Sequence, residues 1–368
     1  MIVVRSLRKS FKNKVVLRDL SFEIGDKTIS LLIGPNASGK TTLLKIIAGL
    51  TDADRGEILI NGRVVFRRLE NEKKPVSIPP WDRGVGYVPS DPVLFEHLNV
   101  YENIALGARK RLRGEALDAR VRDVIRMLDL ESYSRTRPRE LSHGIRQRVC
   151  IARALAADPQ ILLFDEPFSN IDPEFKSSLR LELKRLLKRV GVTSIIASNS
   201  AEDILYFNEM ILVLERGVMV YQGVLSEDIV RNSSFIARAL NYNVIPVKEA
   251  SVERGLFKVK TSVGVFYVEN SSDHSLCLDR GEMMMIVSPR AIRFARELSS
   301  TSNIVICEEV ERSKNFLADL IYCKTKDLTI TILGDGGVEE TLDNESKKYL
   351  YIPPESIKIV CRDSDTRS

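Results

Sequence analysis

The sequence predicts an α/β domain carrying a phosphate-binding loop, followed by a small all-β domain. Three observations carry this. First, the apolar run Ile29-Ser30-Leu31-Leu32-Ile33 reads as a buried strand. It leads through Gly34-Pro35-Asn36-Ala37-Ser38-Gly39-Lys40-Thr41-Thr42 into a helical run that stops at Gly49. Second, another apolar run, Ile161-Leu162-Leu163-Phe164, delivers the acidic pair Asp165-Glu166. Third, from Ile245 onward the chain changes to short alternating segments rich in Val and Ile and broken by Gly, Asn, Asp and Ser, the pattern of strands.

Composition fits two soluble domains. At 368 residues the chain is long enough for two cores, with 44% hydrophobic and 29% charged residues. Its 55 basic and 50 acidic side chains leave a net charge of only +5, which does not argue for nucleic acid as a partner. No apolar run is long enough to span a bilayer and no leader pattern opens the chain, so a cytoplasmic protein is expected. The five cysteines form no CxxC pair and there are three histidines, so buried, reduced thiols are the expectation rather than zinc or disulfides.

In chain order, residues 1–24 alternate like an antiparallel pair of strands, with Phe11 near the hairpin end. A lone aromatic there is core or a platform for a nucleotide base. In the loop, Gly34 and Gly39 let the backbone curl so that successive N–H groups and the helix N-terminus face a phosphate. Lys40 is placed to reach the β- and γ-phosphates and Thr41 to ligate magnesium, which names ATP and Mg²⁺ as the cofactors. Residues 54–63 read as turn, strand and turn, 67–80 as a surface loop, and 85–88 as a short strand. The pattern from Val100 to Asp129 is helical, within a helical insertion spanning about 92–158.

Leu141-Ser142-His143-Gly144-Ile145-Arg146-Gln147-Arg148 opens a further helix with Ser142 as its N-cap, so that backbone N–H groups and the helix dipole form an anion site. Asp165 and Glu166 fall at the C-terminal end of their strand, the sheet edge where the phosphate loop also lies. There Asp165 is positioned to hold magnesium through water, and Glu166 to polarise an attacking water.

Phosphate loop, LSHGIRQR, ILLFDEP and Ser169-Asn170-Ile171-Asp172, in this order, resemble the nucleotide-binding subunit of an ABC transporter over residues 1–235. The resemblance implies a dimer that sandwiches two ATP molecules, each between one subunit's phosphate loop and the other's Ser142, His143 and Gly144. It implies base stacking by Phe11 and a dimer contact by residues 169–172. Residues 94–104 are similar to the importer subgroup, where they lie in the groove for a membrane subunit. By this resemblance the partners are a second ATPase subunit, transmembrane permease subunits and, indirectly, an extracellular solute-binding protein, with the chain peripheral at the cytoplasmic face of the membrane.

Four positions depart from the family pattern. Ser90 stands where a magnesium-touching glutamine is usual, Asn199 where a histidine is usual, and His143 and Ile145 where the signature has glycine and glutamine. Asparagine donates a hydrogen bond but carries no proton, so slower or differently gated hydrolysis is expected with ATP binding retained. Residues 236–368 resemble the OB-like (TOBE-type) regulatory barrel of importer ATPases. Within them 287–294 and 352–359 share apolar-x-Pro-x-x-Ile-basic-apolar, a repeat expected to mark equivalent strand ends. An ATP-gated switch with very slow hydrolysis, and a soluble non-transport ABC ATPase, are the alternative readings.

Overall fold

In the computed structural model of the chain, two compact units divide after Ser226, earlier than the divide at 235 read from the sequence. The described residues are 1–368 except 13, 71, 73, 170, 172, 226–228, 230–231, 240–241, 254, 270–281, 290, 296–302, 316–317, 326, 334–347 and 363–368.

The first unit opens with β1 (Ile2–Phe11) and β2 (Lys14–Ile24), paired antiparallel, then β3 (Ile29–Ile33) and α1 (Lys40–Ala48). Next come β4 (Arg55–Ile60), β5 (Arg63–Arg68), β6 (Val76–Ser77) and β7 (Val85–Val88). The stretch expected to be a surface loop over 67–80 is therefore partly ordered. β5 runs to Arg68 with the adjacent Val65 and Phe66 buried, and β6 pairs back on it, Phe66 with Ser77 and Arg67 with Val76. The insertion is helical within 100–129 in two pieces, α2 (Val100–Ala108) and α3 (Gly114–Met127). α2 ends at Ala108, and the chain turns through Arg113, extended at φ −141°, and Gly114 at φ +55° before the second helix begins.

Then follow α4 (His143–Ala156), β8 (Ile161–Asp165), α5 (Pro173–Val190), β9 (Thr193–Ser198), β10 (Met210–Glu215) and β11 (Val218–Gly223). One sheet runs β2-β1-β4-β5-β6. The other runs β11-β10-β3-β9-β8-β7, parallel throughout except for β11. β3, β8 and β9 are buried at every residue, their few polar positions included, as befits parallel strands covered on both faces. Both sheets pack on α1 in one core that includes Leu7, Leu20, Phe66, Leu163 and Leu214. The ends of β3, β9, β8 and β7 thus lie side by side along one edge.

The second unit holds α6 (Ser234–Ala239) and strands β12 (Asn243–Glu253), β13 (Leu256–Thr261), β14 (Val265–Glu269), β15 (Glu282–Val287), β16 (Arg293–Ala295), β17 (Ile304–Cys307), β18 (Glu309–Asn315), β19 (Ala318–Lys324), β20 (Thr329–Leu333), β21 (Lys348–Tyr351) and β22 (Ile357–Arg362). They form three antiparallel sheets, β14-β13-β12-β15-β22, β16-β21-β17 and β18-β19-β20, around one apolar core. The internal repeat joins β15 to β16 and β21 to β22 through proline-bearing turns; the two copies meet where Val287 pairs with Ile357, and Phe294 pairs with Leu350 just before the second copy. The expectation of reduced thiols needs correction here. Cys307 and Cys323 are disulfide-bonded, with Cα atoms 5.4 Å apart. The fold brings β17 and β19 together so that both side chains enter the core, a proximity that no CxxC spacing announces. Cys150 is a free, buried thiol, and that burial pushes its pKa up to about 11.

Candidate nucleotide-binding site

The phosphate loop joins β3 to α1 and demands both of its fixed glycines. At Gly34 a Cβ would sit 2.0 Å from the Leu214 carbonyl oxygen. Gly39 has φ +109° and would put a Cβ 2.7 Å from Leu17. Ala37 is also left-handed, at φ +61°. The far end of α1 is closed by Gly49, left-handed with its N–H bonded to the Ile46 carbonyl. The buried Arg83 then donates to the Ile46 and Ile47 carbonyls at 2.8 and 3.2 Å and to that of Ile78 at 2.6 Å.

Inside the loop the Lys40 ammonium, 4% exposed, donates to the Gly34 and Pro35 carbonyls, both at 3.0 Å, and lies 3.5 Å from Glu166. Burial lowers its pKa below the usual lysine value, opposed by the charges of Glu166 and Asp165. A buried cation whose donors are spent on its own loop is primed for an anion. The Ser38 hydroxyl, 2% exposed, has no hydrogen-bond partner among the described residues. Both features fit the loop to a polyphosphate. Asn36 and Thr41 are exposed, and Pro35 and Thr42 are half-buried.

The acidic pair meets this loop. Asp165, the last residue of β8 and buried, accepts at Oδ1 from the Thr41 hydroxyl and at Oδ2 from the Tyr87 hydroxyl, each at 2.9 Å. Having donated its proton, Thr41 keeps lone pairs for a cation, so this donor set fits Mg²⁺. Burial, reinforced by the Asp165 charge, raises the Tyr87 pKa and keeps that hydroxyl a donor. Glu166 holds a left-handed backbone at φ +48°, with its N–H bonded to Ala197 and its carbonyl to Ser169. Asn199, just past β9, donates from Nδ2 to Asn36 at 2.9 Å and to Glu166 at 3.4 Å.

Residues from three sequence-distant segments, Asn36, Lys40 and Thr41, Asp165 and Glu166, and Asn199, thus form one hydrogen-bonded and ionic cluster. Ser90 lies beyond the end of β7 and bonds neither Thr41 nor Asp165 among the described residues; Tyr87, read from the sequence only as a strand residue, makes that contact. No local signal marks Tyr87, because its partner is 78 positions away. Phe11 ends β1, is 48% exposed and lies 5.0 Å from the Lys9 ammonium.

Ser142, His143 and Gly144 open α4, with the Ser142 hydroxyl accepting from the Ile145 N–H at 3.4 Å. Among the described residues nothing bonds them to this chain's phosphate loop. With Phe175 and Glu182 they line a separate cavity of about 500 Å³. A Cβ on Gly144 would meet no atom of this chain within 4 Å. Two other features escaped the sequence reading. The fully buried Asn103 bonds the backbone of Phe95, Leu98 and Asn99, shaping 95–99, and Arg180 pairs with the buried Asp203 at 2.6 Å, holding the segment after Asn199. Asn170 and Asp172 of the expected dimer-contact loop lie outside the described residues.

Residues 17–169 match the family model described as ABC transporter. The chain is 38% identical over 228 residues to the molybdate/tungstate import ATP-binding protein WtpC of Pyrococcus abyssi, covering 62% of this chain and 63% of that protein. It is 37% identical over 216 residues to the trehalose/maltose import ATP-binding protein MalK of Thermococcus litoralis, covering 58% of this chain and 57% of that one. It therefore spans about 60% of the length of these relatives. Among solved structures, the ATP-binding cassette MJ0796, dimeric in a post-hydrolysis state with ADP and Pi, superposes with a TM-score of 0.53. It is 26% identical and covers 61% of this chain and 99% of that one.

Proposed function

From the match of residues 17–169 to the ABC transporter family model, we propose that the chain is the ATP-hydrolysing subunit of an importer. The observation that carries this is the cluster of Lys40, Thr41, Asp165, Glu166 and Asn199 at one sheet edge. On binding ATP, Lys40 exchanges its loop carbonyls for the β- and γ-phosphates, and the Ser38 hydroxyl gains a partner. Thr41 and Asp165 would hold Mg²⁺, which would supply charge neutralisation at the phosphates. Glu166 accepts a proton from the attacking water, while Asn199 fixes the Glu166 carboxylate and offers an N–H to the γ-phosphate.

A second copy completes the site through Ser142, His143 and Gly144. The open helix start, the cavity it shares with Phe175, and the dimeric cassette among the structural neighbours support this pairing. Phe11 is the base platform. Membrane permease subunits receive the work, fed by a solute-binding protein outside the cell. No described helix is long and apolar enough to cross a membrane, in keeping with a peripheral subunit at the cytoplasmic face. The second unit is the OB-like regulatory domain of such importers.

The test is steady-state ATP hydrolysis with Mg²⁺ beside Glu166→Gln. We expect turnover in the native chain, a loss of about 10²-fold or more in the variant, and retained ATP binding with an ATP-dependent dimer. Equal silence in both, persisting after reconstitution with permease subunits, would instead favour the ATP-gated switch.

A further inference from the structure

We propose that Tyr87 is a positioning residue of the metal site, its hydroxyl holding the Asp165 carboxylate in the orientation from which that group serves Mg²⁺. This rests on the ATPase reading above and goes beyond it by assigning a role to a residue outside the family motifs.

The geometry divides the work on Asp165 between its two oxygens. Oδ1 accepts from Thr41, and Oδ2 accepts from Tyr87, both at 2.9 Å. Two donors on opposite oxygens fix the plane of a carboxylate that would otherwise rotate about its last bond. The two anchors differ in kind. Thr41 stands in the first turn of α1, on the loop that must rearrange around phosphate. Tyr87 stands on β7, in parallel register with β8, Tyr87 opposite Leu163 and Val88 opposite Phe164. Its ring packs against the central apolar core. The Tyr87 hold is therefore built into the sheet and persists whatever the loop does. It lies three positions before Ser90, the residue too short to reach the metal as a glutamine would. In this chain the β7 segment acts on the metal site through the metal's carboxylate.

Because the ring is packed and only the hydroxyl is polar, Tyr87→Phe removes the donor and keeps the packing. The measurement is equilibrium binding of a fluorescent ATP analogue to the full chain, starting in EDTA and titrating Mg²⁺, with Mn²⁺ binding followed by electron paramagnetic resonance. We expect Tyr87→Phe to need about 10-fold more Mg²⁺ for its half-maximal effect and to bind Mn²⁺ correspondingly more weakly. Analogue affinity in EDTA should stay within about twofold of the native chain, since Lys40 and the loop are untouched.

Equal metal dependence in native and variant protein would overturn the proposal. So would a parallel loss of affinity in EDTA, which would make Tyr87 a support of the loop as a whole. If Tyr87→Phe does not fold, Tyr87→Met, which also lacks the hydroxyl, takes its place with the same expectation. The native chain alone decides the underlying reading. Analogue binding that ignores Mg²⁺ there would overturn the metal assignment itself, and this proposal with it, before any variant is compared.

Discussion

Asn199 shows what one side chain changes at this site. It reaches Glu166 and Asn36 at once, so it ties the candidate base to the phosphate loop through an amide that itself carries no titratable proton. Asn199→Ala should lower kcat by about 10²-fold, as loss of one preorganised donor does elsewhere, while ATP affinity changes little. Single-turnover kinetics beside equilibrium binding would separate the two. Arg180 acts at a distance from the chemistry. It neutralises Asp203, whose pKa is raised by burial and held back by Ser198 and Arg180. Arg180→Met should cost about 3–5 kcal/mol near neutral pH by leaving a buried carboxylate unpaired. Without the arginine, the folded-state pKa of Asp203 climbs further above its unfolded value. The loss should therefore be small below the unfolded pKa and grow as pH rises towards the folded one. Denaturant unfolding at several pH values checks this; a deficit independent of pH would refute it.

Among the elements, α1 depends on a residue far from its own sequence. Gly49 closes the helix locally on the Ile46 carbonyl, yet Arg83, from the segment before β7, also donates to that carbonyl, to that of Ile47 and, outside the helix, to that of Ile78. Arg83→Ala should cost about 2–4 kcal/mol, since it strands buried carbonyls. Arg83→Lys should rescue only part of this, a single ammonium being unable to reproduce the guanidinium fork. Thermal melting of the two variants tests the order. The helix itself was legible in its sequence, with a glycine loop before it, a periodic apolar face and a glycine stop. Its third-party cap was not, because an arginine after a proline turn has the same local appearance whether it is solvated or buried.

At the scale of the whole molecule, the two units have separate cores, and among the described residues the second carries a covalent tie. The Cys307–Cys323 bond closes a span of 16 residues. On the chain-entropy account it stabilises that unit by about 3 kcal/mol. Mass spectrometry of the unreduced, alkylated chain should find peptides containing 307 and 323 linked. Reduction should lower the midpoint of a denaturant transition, and an unlinked pair in freshly purified protein would refute the assignment. Cys150 should resist alkylation in the folded state, its thiol being buried and protonated at neutral pH.

The sequence by itself determined the strand, loop and helix around Lys40, the acidic pair at the end of β8, the signature helix start at Ser142 and the all-β character of the second unit. Each is written in residues that adjoin in the chain, where glycine conformational freedom, capping and apolar period act locally. Only the tertiary structure decided that Tyr87 rather than Ser90 bonds Asp165, that Asn199 bridges Asn36 and Glu166, that Arg83 caps α1, and that Cys307 meets Cys323. Those contacts join positions separated by tens of residues, or lying in different sheets. Their existence depends on strand order and register, which burial of the whole apolar set selects and no short stretch of sequence encodes.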